Sequence, residues 1–247
     1  FLKSQTNVHC LAPEYWGLIF SNTIAYKNQM PTRKLNCLAN RISGERLLMF
    51  YNLAKRGLIE NNHISFNCEK SIDVYGVYDR SASVAQRQQA FVDAHNEYGW
   101  NEYSDIFNKY RAQMPILLEV NDPVYAAIDS EVTIVVETYA SESSVALSEK
   151  IFRALKLPRP WLLYCSPGTV DILRNYGFDV LDDLVDHQAY DHLFFKERIS
   201  AMLDQLPLIT LDINRCNQAA AHNQQLLLEL SNKFEAKYNS VLEALQV

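Results

Sequence analysis

The sequence predicts an α/β protein built on a mostly parallel sheet. Runs rich in Val, Ile, Leu and aromatic residues at 131–137 and 161–165 have the composition of strands, the second continuous enough to be covered on both faces. Segments with helical apolar spacing surround them, at 45–56 and from 217 onward. Strands separated by helices join through crossovers, and crossovers make parallel pairs. A hydrophobic share of 48 % over 247 residues is ample for a core of that kind.

Taken in chain order, Tyr15-Trp16-Gly17-Leu18-Ile19-Phe20 reads as a short strand or a packed turn, and Met30-Pro31-Thr32-Arg33 breaks it. Lys34 to Leu38 reads as a short strand and Asn40 to Gly44 as a polar turn. A helix follows from Glu45 to Arg56, because Leu47, Phe50, Tyr51 and Ala54 share one face, and Gly57 stops it. Ile64–Phe66 and Asp73–Val77 read as strands. Residues 82–113 read as two helices split near Gly99, the first with Val84, Phe91 and Val92 as apolar positions. The apolar run Ile116–Val120 ends in a turn at Asn121-Asp122-Pro123, and Glu131–Glu137 is a strong strand.

Ser148 caps a helix running to Leu155, with Glu149 favourable at its positive end. Pro158 and Pro160 bracket a turn before the strand Trp161–Cys165, where Trp161 reads as core. Ser166-Pro167-Gly168-Thr169 opens a helix capped by Thr169 and ended by Gly177. Its first amides are either a phosphate seat or, more plainly, a strand-to-helix turn. Phe178–Leu181 reads as a short return strand. From Asn217 the chain is one long helix with Leu227, Leu230, Phe234, Tyr238, Val241 and Leu245 as a packing stripe. The organisation is an N-terminal segment 1–33, a sheet domain 34–215 and a C-terminal helix 216–247.

A net charge of −6 argues against a broad nucleic-acid surface, which needs clustered Lys and Arg. Five scattered cysteines without a Cys-x-x-Cys pair argue against a disulfide framework or structural zinc, and fit a reducing, cytoplasmic compartment. No run approaches the ~18 apolar residues of a membrane span, so no membrane partner is expected. Gly-x-Gly-x-x-Gly, P-loop and Gly-x-Ser-x-Gly motifs are absent, as is Asp-x-Asp, so no metal–diphosphate device is expected. His187 and His192, beside Asp186 and Asp191, read first as a solvated turn rather than a metal site.

The residues with chemistry lie at strand ends and helix starts. Glu137 ends a strand, and parallel sheets take ligands at such ends. Ser148-Glu149-Lys150 brings a carboxylate for sugar hydroxyls and an ammonium for phosphate to a helix start, and Arg46 stands at the start of the first helix. Glu45 is a candidate base whose plainer role is at that helix N-terminus.

Leu38-Ala39-Asn40-Arg41 … Arg46-Leu47-Leu48-Met49-Phe50-Tyr51-Asn52-Leu53 and Glu137 … Ser148-Glu149-Lys150 together resemble the nucleotide-binding half of the α-1,3-fucosyltransferase family and its phage and bacterial relatives. The resemblance spans about residues 34–200. It implies the second Rossmann-like domain of a GT-B glycosyltransferase, moving a sugar from a nucleoside-diphosphate sugar to a hydroxyl of a glycan or of modified DNA, without metal or further cofactor. It implies that Arg46 and Lys150 face the donor diphosphate, that Glu149 holds ribose hydroxyls and that Glu137 orients the donor sugar or ribose, with Ser148 in the same donor site. Ala146 stands where the family often has an aromatic residue, which leaves the donor base open.

The later run Gly177-Phe178-Asp179 … Asp186 … Tyr190-Asp191 … Arg198 resembles a segment of phage-type relatives; Asp186 and Tyr190 either trim the acceptor side or, more plainly, cap and staple the next helix. Such an enzyme also needs an acceptor domain, and only residues 1–33 precede the matching strand, so that domain is expected to be reduced or supplied outside this chain. Beyond Glu45, no general base is named. Two alternatives stand beside this reading: a non-catalytic nucleotide-binding module, and an assembly protein that pairs through its C-terminal helix.

Overall fold

The computed structural model describes residues 29–69, 82–118, 122–137 and 147–245, with 234–245 as backbone only. Four strands, β1 (Arg33–Arg41), β2 (His63–Glu69), β3 (Ser130–Val136) and β4 (Trp161–Tyr164), form one sheet in the order β2-β1-β3-β4, and every pairing is parallel. The chain leaves β1 toward β2, then returns past β1 to β3 and β4. The winding direction therefore reverses between β1 and β3, an arrangement consistent with a Rossmann-like fold.

The helices are α1 (Gly44–Lys55), α2 (Val84–Tyr98), α3 (Ser104–Tyr110), α4 (Pro123–Ile128), α5 (Glu149–Leu155), α6 (Thr169–Asn175), α7 (Gln188–Asp191), α8 (Phe195–Asp204) and α9 (Ile213–Leu245). Alternation along the strands sends Cys37, Ile64, Ile134 and Leu162 to one face, where α1, α2, α3 and α8 cover them. Val135 and Leu163 point to the other, against α5, α6 and α9. On the first face Phe50 stacks on Phe66 at 5.0 Å and meets Tyr110 edge-on at 5.4 Å. Ring pairs of this kind add about 1 kcal/mol each beyond their burial.

Local chemistry sets the helix ends. The Ser43 hydroxyl accepts from the Arg46 amide to start α1, and Gly57, at φ +69°, turns the chain away after it. Ser83 and Gln86 close a reciprocal capping box on α2. Among the described residues no helix is long and apolar enough to cross a membrane.

Several expectations need correction. β1 runs on to Arg41, so the polar turn shrinks to Ile42–Ser43. Val84 is 58 % exposed at the first position of α2, not part of its apolar face. The turn at Asp122-Pro123 is instead the start of α4: Asp122 caps it and Pro123 occupies its first turn, where a missing N–H costs nothing. Phe178–Leu181 is no strand. The Phe178 amide turns back to the Leu173 carbonyl, the Asp179 and Leu181 amides are taken by the side chains of Asn223 and Asp179, and Leu181 adopts φ +61°. Thr169 is the first residue of α6 rather than its cap, and its hydroxyl donates to the Ser166 carbonyl. The expected elements at Tyr15–Phe20 and Asp73–Val77, position Ala146, and the side chains of Phe234, Tyr238, Val241 and Leu245 lie outside the described residues.

Candidate functional site

Buried charge gathers at both ends of the sheet, and the two ends differ in kind. At the amino end the Arg159 guanidinium donates to the carbonyls of Gln29, Ile128, Ser130 and Pro158. Asp129 there accepts from His63 at 2.9 Å and from both the amide and hydroxyl of Thr32. These groups tie strand starts to their neighbours.

At the carboxyl end, cations and carboxylates face one another around the reversal between β1 and β3. Glu137 is the residue after β3, and its amide still donates to the Tyr164 carbonyl at 3.0 Å, which fixes it to β4. Its side chain is 1 % exposed, so it is a buried carboxylate rather than an exposed loop acid. Its oxygens accept from the Ser148 amide at 3.2 Å and the Ser148 hydroxyl at 2.5 Å. The Lys150 ammonium lies 3.7 Å from Glu137, donates to the Ser148 hydroxyl at 3.1 Å, and lies 3.4 Å from Glu149. Ser148 thus caps α5 and links a strand-end carboxylate to a helix-start lysine.

Arg46 enters from the other side of the reversal. It stands in the first turn of α1 and is 4 % exposed. Burial pulls its pKa below the ordinary arginine value and the like charge of Arg41 adds to this, while Glu137 and Glu45 oppose both. Of the five residues expected at the site, Glu137, Ser148, Glu149 and Lys150 are in direct contact at the carboxyl end of the sheet, and Arg46 starts the helix that follows the neighbouring strand β1. Burial pushes the Glu149 carboxyl up, but Lys150 and the helix-start amide outweigh it and hold the group below the usual carboxylate range. Lys150 and Glu149, with side chains 28 % and 46 % exposed, form the outer layer; Arg46 and Glu137 form the floor.

Residues not singled out from the sequence extend this edge. Arg41 ends β1 beside Arg46, and Tyr164 ends β4 within the field of Glu45 and Arg198. The supposed phosphate seat at Ser166–Thr169 is already filled. The Asp191 carboxylate accepts from the Val170 amide at 3.0 Å, the Asp191 carbonyl accepts from Gly168, and Arg198 holds the other carboxylate oxygen at 2.5 Å. No local pattern announces this cap, because it reaches back across 21 residues.

His187 is likewise not in a solvated turn. It is 1 % exposed, with Nε2 on the Val180 carbonyl at 2.8 Å and Nδ1 on the Tyr190 hydroxyl at 2.6 Å. Both ring nitrogens are committed, leaving neither for a metal. Asp186 accepts from the Ala189 amide at the start of α7, and Tyr190 is buried, so these two residues cap and staple.

Chemically, the edge carries cations already compensated by carboxylates. A phosphate oxygen could enter such a network only by replacing a carboxylate at Lys150, which would release that carboxylate toward hydroxyl donors. Comparison with protein-family models, with curated proteins and with solved structures gives no match.

Proposed function

We propose that this chain is the nucleotide-sugar-binding half of a metal-independent glycosyltransferase with GT-B-like architecture. The observation that carries the reading is the joining of Glu137, Ser148 and Lys150 at the carboxyl end where the sheet reverses its winding, with buried Arg46 starting the helix after the neighbouring strand β1. In open parallel sheets this is the crevice where ligands bind. The charges suit a diphosphate flanked by sugars: two cations for the phosphates, two carboxylates for hydroxyls.

In this reading Lys150 leaves Glu149 for the donor diphosphate, and Glu149 turns to the ribose. Glu137 is fixed by Ser148 and orients the donor sugar. Arg46 and Lys150 offset the negative charge that grows on the nucleoside diphosphate as the glycosidic bond breaks. Such preorganised charge in a water-poor site acts mainly on the transition state. Glycan hydroxyls are the favoured acceptor, since the net charge of −6 disfavours DNA.

One observation favours a second reading, a nucleotide-binding module without turnover. Glu137 and Glu149 are each engaged by Ser148 or Lys150, so neither stands ready as the general base that deprotonates an acceptor.

Thermal stabilisation by a panel of nucleoside diphosphates and nucleotide sugars, with wild type and Lys150→Ala side by side, tests the proposal. A base-selective shift that the substitution abolishes supports it. Transfer of donor sugar to an added hydroxyl acceptor then separates the transferase from the module. No shift with any nucleotide removes both readings and leaves assembly through α9.

A further inference from the structure

We draw no further inference here: the strongest candidate, the cleft of about 230 Å³ between the β1–α1 turn and α2, has its Tyr98 ring stacked on Trp100 and lying against Gly44 and its Asp93 accepting from Gln89, which leaves an acidic cluster with nothing among the described residues that points to a ligand.

Discussion

Arg198 donates from Nη2 to the Asp191 carboxylate at 2.5 Å, with both side chains buried, and the other Asp191 oxygen caps α6. Burial pushes the Asp191 carboxyl up, against the pull of Arg198. The Nε and Nη1 of Arg198 are buried without an acceptor among the described residues, so Asp191 is the principal compensation for that charge.

Removing one partner of such a pair strands the other. Asp191→Ala is expected to lower stability by about 3–5 kcal/mol, seen as a lower urea midpoint at unchanged slope. Asp191→Asn keeps an acceptor for the Val170 amide and should lose distinctly less. Equal losses would mean that the charge on Asp191 contributes nothing.

His187 gives the fold a pH dependence. Burial lowers its pKa to about 4 in the folded protein, against about 6.5 when unfolded. The unfolded chain therefore binds more protons once the pH drops below ~6.5, and stability falls from there toward pH 4, by roughly 3 kcal/mol at most. Urea midpoints at about pH 7 and pH 4.5 should separate further in wild type than in His187→Gln.

At the candidate site, Arg46 and Glu137 are expected to be coupled. In a cycle of Arg46→Met, Glu137→Gln and the double variant, the interaction should exceed about 1 kcal/mol. Either single change should also abolish stabilisation by nucleoside diphosphates. Additive effects on stability would mean that the two groups do not sense each other.

Arg159 is buried among carbonyls and uses its planar fork to bind four of them. Lysine cannot span those directions. Arg159→Lys should cost about 2–4 kcal/mol in a denaturation experiment, nearly as much as Arg159→Met.

What the sequence revealed depended on the range of the forces involved. β3, β4, α1 and α2 were legible because their signals are local: β-branched and aromatic runs, helical spacing, Ser and Gly caps. Ser148 and Lys150 were legible as a helix start, and Glu137 as a strand end. Their sharing of one site was expected, but the Ser148 bridge from Glu137 to Lys150 was not, because it depends on β3 and α5 meeting in space. Asp191 at the start of α6, Asn223 taking the Asp179 amide, and Tyr98 against Gly44 are contacts between distant segments. They left no periodicity to read. α4 was missed for a local reason: Asn-Asp-Pro marks a turn and a helix start alike.

The order of the strands also sets a timetable. β1 is completed on one side by β2 soon after it emerges, but its other edge is hydrogen-bonded to β3, as where Asn36 meets Thr133 across 97 residues. At ordinary rates of synthesis that interval is roughly 5–20 s, during which the polar edge of β1 has no strand beside it. A chaperone or a transient local contact that shields Asn36 over this interval would raise the yield of folded protein, whereas a substitution that makes the waiting edge more apolar would lower it without changing the stability of the finished fold.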